Sequence, residues 1–293
     1  MPFITEEFLI PYPKKAFLFI METLKCSQKE SQKYLDKKRL KQNNLPIHKS
    51  QTIQGKVELT HFKPESMYLE PIFITPIFAI YDKPAKLLVH PKGYSKDFSL
   101  CDDIKSRFGK EANPVHRLDY ETSGLIMISI KKSYEASLKM LFAKKQIQKI
   151  YLALVEGNIK KPQKINLPIR NPNKSDKYKD LGIRSLISPE GKISITQIVP
   201  IHYNKYTDTT LLKIIPITGR THQIRIHLSA IGHKIIGESL YGVNEKTARD
   251  YLENKSLIID KTSILRLHAQ RLSFVYNNIH YDIKSHQNFK EDL

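Results

Sequence analysis

Apolar residues in this chain come in short runs separated by turn-forming residues, the pattern of a strand-rich protein with few helices. Phe78-Ala79-Ile80-Tyr81, Leu87-Leu88-Val89, Leu125 to Ile130, Gln148 to Gly157, Ile193 to Tyr203 and Thr209 to Ile217 read as strands, the last two paired across Asn204 to Asp208. Pro76 breaks the apolar stretch Pro71 to Ile80. Helical spacing is confined to a few segments. These are Ala16 to Leu24, Ser31 to Leu40 behind the N-cap candidate Ser27, and a segment from Ser133 to Lys145 that places Leu138, Leu141 and Phe142 on one face. A further helix capped by Thr221 carries Ile224, Leu228 and Ile231 until Gly232 stops it, and the charged insertion 243–261 reads as helix. The sum is an α+β fold.

Two regions differ in character. Residues 1–64 form a Lys-rich head of two helices followed by a basic turn and short strands, and Lys63-Pro64-Glu65-Ser66 marks the boundary to a main domain, 65–293. Residues 158–193 are polar and rich in Lys, Pro and Asn, an excursion with short strands that reads equally as an RNA-touching loop or as solvated surface.

Charge narrows the class of partner. Lys and Arg outnumber Asp and Glu by 48 to 29, a formal charge of +19, which points to a polyanion, nucleic acid before anionic membrane. Fifteen tyrosines offer rings on which bases can stack, although scattered surface lysines are the bland alternative. Cys26 and Cys101 stand far apart with no ligand spacing around them, so neither a disulfide framework nor a zinc site is expected, and a reducing cytoplasm fits. Met1 to Phe8 lacks the basic start and apolar core of a signal peptide, and no apolar run reaches the roughly twenty residues of a membrane helix.

The chemistry concentrates in residues 115–130. Asp119 lies in a polar cluster ahead of the turn Thr122-Ser123-Gly124, which feeds the apolar run Leu125 to Ile130. An isolated Asp in such a place most often pairs with a neighbour such as Arg117 or caps a turn. Here the string His116-Arg117-Leu118-Asp119 followed by Thr122-Ser123-Gly124-Leu125 resembles the active-site motif of the RluA-type pseudouridine synthases. Lys149-Ile150-Tyr151-Leu152-Ala153-Leu154-Val155-Glu156-Gly157 and Thr218-Gly219-Arg220-Thr221-His222-Gln223-Ile224-Arg225 resemble two further motifs of that family, and Gly237-Glu238-Ser239-Leu240-Tyr241-Gly242 a fourth, with Glu238 where Asp is commoner.

The resemblance implies a mixed, mostly antiparallel sheet flanked by helices, with a closing strand at Leu265 to Ala269 and Leu272 to Phe274, and isomerisation of uridine to pseudouridine in RNA without cofactor or metal. It implies Asp119 as the catalytic residue, Tyr151 as a ring and phenol beside the target uracil, and Arg225 as the cation that holds Asp119 ionised. Arg117 and Arg220 are expected to contact RNA at the site, Arg117 either by filling the space the base vacates or by gripping a neighbouring phosphate. The head resembles an S-four-like RNA-binding domain, with Lys37, Lys38 and Arg39 as expected contacts, although Lys38 to Asn44 stands where that domain usually shows a Gly-containing turn. Large-subunit ribosomal RNA is the expected substrate, transfer RNA the alternative, and a monomer the expected state. Two other readings are a non-catalytic ribosome-assembly factor, and an RNA hydrolase built on His116, Asp119 and Ser123. His116 is left outside the catalytic set of the synthase reading.

Overall fold

The computed structural model describes residues 3–91, 97–173, 184–253, 264–287 and 289. The head opens with β1 (Phe3–Lys15), a strand its sequence does not announce, continues through α1 (Ala16–Leu24), α2 (Gln28–Asp36), β2 (Leu40–Gln42) and β3 (Leu45–Pro46), and ends with β4 (Thr52–Phe62). Its sheet has the order β1-β4-β2-β3. Ile10, Ile20, Leu35, Leu40, Ile53, Val57 and Leu59 form a core made of head residues alone. Ser27 does cap α2: its N–H and hydroxyl donate to Glu30 Oε2 at 3.0 and 2.8 Å, while the Glu30 N–H donates back to Ser27 Oγ at 3.3 Å. Where a Gly-containing turn was expected, Lys38 adopts φ +55° and Asn43-Asn44 adopt φ +51° and +63°. Asn43 and Asn44 thus form a two-residue turn between the paired Gln42 and Leu45, with asparagines standing in for glycine.

The main sheet begins with β5 (Pro71–Ile74) and β6 (Phe78–Lys83) and passes through α3 (Leu100–Phe108) and β7 (Asn113–Pro114) to the buried β8 (Ser123–Ser129). It continues with α4 (Lys132–Ala143), β9 (Gln148–Glu156), β10 (Gln163–Asn166) and a small side pair, β11 (Ile169–Arg170) with β12 (Leu186–Ile187). Then come β13 (Ile195–Asn204), β14 (Thr209–Pro216), α5 (Gln223–Ala230), α6 (Glu245–Glu253), β15 (Leu267–Tyr276) and β16 (Ile279–Lys284). The strands form a ten-stranded sheet of order β10-β13-β14-β9-β15-β8-β6-β5, with β16 on β15 and β7 on β8. Every pairing in it is antiparallel except β8 with β15. The mixed, mostly antiparallel sheet matches the expectation.

Several local expectations are revised. Leu87 to Val89 makes a single bridge, Leu88 to Ser99, rather than a strand. Helix α4 starts from Lys131 without a side-chain cap, so Ser133 lies inside it. Helix α3 was not expected, although Ser99 and Asp102 mark its start: the Ser99 N–H and hydroxyl both donate to Asp102 Oδ2 at 2.8 Å. The insertion helix spans Glu245–Glu253, and the remainder of that stretch, 254–261, lies outside the described residues.

The parallel contact is what positions the site. His268 pairs with Ser123 and Ala269 with Gly124, while Ala269 also pairs with Tyr151 on β9. Gly124, Ala269 and Tyr151 therefore form a row across three strands, about 5 Å apart each. A Cβ on Gly124 would lie 2.4 Å from the Ala269 nitrogen, and its φ is +109°. Only glycine permits this approach, and it sets the loop before β8 two strands from Tyr151.

Candidate active site

Asp119 sits in the loop between β7 and β8, its side chain about one-fifth exposed. The loop is held from below. The Thr122 N–H donates to Asp119 O at 3.1 Å. Lys83, at the end of β6 and fully buried, donates from Nζ to Pro84 O at 2.8 Å, Leu87 O at 2.9 Å and Tyr120 O at 3.3 Å. All three ammonium donors are thus satisfied by carbonyls, one of them next to Asp119. Burial pulls Lys83 down to about 7, against the opposing charges of Asp119 and Glu121. Beyond it, the Tyr251 hydroxyl on α6 donates to Glu121 Oε1.

A cavity of about 900 Å³ opens beside the loop, with Asp119, Tyr151, Arg225, Arg117 and Arg220 all in its wall. Asp119 is the sole carboxylate among the described lining residues, facing Arg117, Lys145, Lys149, Arg220 and Arg225. The structure thus brings together all three residues expected to be catalytic. Tyr151 is half-buried, and burial first, then the charge of Asp119, raises its phenol above the ordinary range, so it stays protonated. Lys149 is half-buried and lowered by burial, its Nζ standing against Gly219 across the cavity.

Arg225 does not make the contact expected of it. Its Nε and NH2 donate to Glu238 Oε2 at 2.8 Å and Oε1 at 2.5 Å, with both side chains buried. Burial opposes its charge, but the hydrogen bonds and charge of Glu238 more than offset that. Stripping Arg225 of its partner would cost about 3–5 kcal/mol, because a buried charge would be left uncompensated. Asp119 acts on Arg225 through charge rather than through a hydrogen bond. The base within ion-pair reach of Asp119 is His222, with Nε2 3.8 Å from Oδ1. His222 also corrects the helix start: it, and not Thr221, occupies the cap of α5, with φ +54°.

The loop ahead of α5 is organised by Gln223, to which its sequence context assigned no role. Its Oε1 accepts from Thr218 Oγ1 at 2.7 Å and from the Arg220 N–H at 3.0 Å. Its Nε2 donates to Ile195 O and Thr196 Oγ1, both at 3.0 Å. The exposed Arg220 lines the cavity from this hydrogen-bonded turn.

A hydrolytic triad of His116, Asp119 and Ser123 is not assembled. His116 Nε2 accepts the Met127 N–H at 2.9 Å, and burial followed by the charge of Lys149 lowers its pKa to about 3, so the lone pair a base needs is already used. Ser123 Oγ bonds His268 Nδ1 at 2.8 Å, and neither residue lines the cavity.

In the head, Lys37 and Lys38 are exposed. Arg39 is buried, its guanidinium 4.3 Å from the centre of the Phe3 ring and 5.4 Å from that of Tyr34, so it packs inside the head rather than facing outward.

The sequence pattern of one family, RNA pseudouridylate synthase, matches residues 77–230, which hold Asp119, Tyr151 and Arg225. A Helicobacter pylori protein named uncharacterized RNA pseudouridine synthase is 50% identical over 285 residues, 97% of this chain and 94% of its own. The chain belongs to the RNA pseudouridylate synthase family. A Buchnera aphidicola relative, ribosomal large subunit pseudouridine synthase C, is 35% identical over 68% of this chain and 60% of its own. Among solved structures, human RNA pseudouridylate synthase domain containing 1 superposes with a TM-score of 0.62 at 23% identity, covering 78% of this chain and 88% of that one. At that identity the likeness speaks for the fold.

Within this synthase, two site residues that the sequence did not reveal have a partner well removed along the chain. Lys83 reaches the Asp119 loop, 37 residues away, and Glu238 meets Arg225 from 13 residues away. The oddly placed Glu238 was the one available signal. Its Oε1 also accepts the N–H groups of Ser239 at 3.1 Å and Leu240 at 2.9 Å, so the longer side chain serves a turn as well as the arginine.

Proposed function

We propose that this synthase converts uridine to pseudouridine in RNA through Asp119, with large-subunit ribosomal RNA as substrate. The observation that carries the assignment is Asp119 as the lone carboxylate among the described residues of a wall otherwise studded with cations. The reaction breaks the bond from ribose C1′ to uracil N1, forms one from C1′ to C5, moves a proton onto N1 and releases one from C5. An ionised carboxylate serves it by adding covalently or by stabilising positive charge that develops at C1′. Tyr151 offers a flat ring for the extruded base, whose unstacking costs a few kcal/mol. Its phenol, kept protonated, can donate at the uracil. Arg225, locked to Glu238, keeps positive potential behind Asp119, and Arg117 and Arg220 meet the flanking phosphates.

The head supports RNA binding by its basic surface, with Lys37 and Lys38 available for phosphate contacts. The named Buchnera relative favours ribosomal RNA, and transfer RNA is the alternative substrate. A pseudouridine map of cellular RNA, compared between wild type, a deletion strain, and that strain carrying the intact gene or Asp119→Asn, tests the whole reading. Sites that vanish on deletion and return only with the intact gene establish chemistry, residue and substrate together. Sites restored by Asp119→Asn would remove Asp119 from the mechanism, and a map unchanged by deletion would favour an assembly role.

A further inference from the structure

We infer that His222 is a positioning residue for Asp119: a neutral imidazole whose Nε2–H is aimed at Oδ1, in a tautomer selected by the Tyr241 hydroxyl. The inference rests on the assignment of Asp119 made above.

The tautomer is set at Tyr241. Its hydroxyl oxygen accepts the Ser185 N–H at 2.8 Å and lies 2.8 Å from His222 Nδ1. Burial raises the phenol well above its ordinary range, so it keeps its proton. Ser185 N can only donate, so it does not take that proton, which is assigned to Nδ1 of His222 at 2.8 Å. An Nδ1 that accepts is bare, and a neutral imidazole then carries its hydrogen on Nε2. Burial keeps His222 neutral by lowering it from its ordinary value, with the charge of Asp119 opposing. Nε2 stands 3.8 Å from Asp119 Oδ1, so a shift of about 1 Å makes the hydrogen bond. Such contacts tighten when substrate closes a site.

The backbone bears a second, independent mark. His222 holds φ +54°, a left-handed conformation that a non-glycine residue adopts at a cost of about 1–2 kcal/mol. Strain of this kind persists where the surroundings demand it. Here it turns the ring edge-on to Tyr241, with centroids 5.7 Å apart, and toward the Asp119 loop. The charged groups that also act on the ring are Arg225, Glu238 and Arg117. The consequence is a fixed carboxylate: one oxygen engaged by a donor that brings no charge, the other left to the ribose or the base.

The test pairs spectroscopy with kinetics. In the full-length protein labelled with ¹⁵N-histidine, the resonance that disappears in a His222→Gln variant identifies His222, and its nitrogen shifts report the tautomer. A protonated Nε2 with a bare Nδ1 is expected, and a hydrogen on Nδ1 would overturn the proposal. Turnover is followed by release of tritium from C5 of labelled uridine in RNA. His222→Asn suits the left-handed backbone but cannot reach Asp119, and should lower kcat by about 100-fold with KM little changed, the size of effect expected from misplacing a reacting group by an ångström. His222→Gln returns an amide N–H near the position of Nε2 and should recover about tenfold over His222→Asn. Equal rates for the two variants, or a loss confined to KM, would refute the role. A wild-type protein that releases no tritium from any RNA would instead sink the underlying assignment, with the tautomer still measurable.

Discussion

At the scale of single residues, the site is decided by who satisfies whom. Asp119 and Tyr151 were legible in the sequence because their motifs are long strings, yet Lys83 was not. A lysine ending a strand ordinarily reads as solvent-facing. Here it is fully buried because β6 lies inside the sheet, and its three donors are taken by carbonyls. With its folded pKa near 7, below the ordinary lysine value of 10.5, the unfolded chain binds more protons than the folded one between those limits. Stability should therefore rise as pH climbs from 7 toward 10, and fall as pH drops through 7. A Lys83→Met variant lacks this dependence. Denaturant melts of both proteins across that range check it: a constant difference would show that Lys83 titrates at its ordinary value.

At the scale of elements, the row Gly124, Ala269, Tyr151 is the structural device on which the site depends. Strand β8 was evident from its apolar run, and β15 from Leu265 to Phe274, but the parallel join between them was not, since nothing local in either strand encodes a partner about 145 residues away. Gly124→Ala should cost about 2 kcal/mol or more, from a left-handed Cβ driven into the Ala269 backbone. A thermal melt registers the loss. Activity should fall further than stability does at permissive temperature, because spreading β8 from β15 moves Asp119 relative to Tyr151. A Gly124→Ala protein that melts and turns over like wild type would show that this close approach is not what sets the geometry.

At the scale of the whole molecule, the +19 charge is the property the sequence made plainest. RNA affinity should fall steeply with salt, and a Lys37→Ala, Lys38→Ala double variant should weaken binding and flatten the slope of log affinity against log salt by about 0.7–0.9 for each phosphate no longer neutralised. An unchanged slope would show that Lys37 and Lys38 neutralise no phosphate. Arg39 belongs to a different class, since it packs on Phe3 and Tyr34, and its removal should act on the head's stability. The strand that carries Phe3 was not legible in the sequence because β1 alternates weakly, with Ile10 its single buried residue. Its pairing with β4 is what makes it a strand.

The sequence by itself determined the strand-rich pattern, the strongly positive charge and the motif side chains proposed for the chemistry. Those depend on residue type and short-range spacing. The tertiary structure alone decided that Arg225 pairs with Glu238, that His222 comes within ion-pair reach of Asp119, and that Lys83 fastens the loop from beneath. Each of these is a choice among several chemically equivalent partners, and the choice is made by which strands and turns the closed core brings side by side.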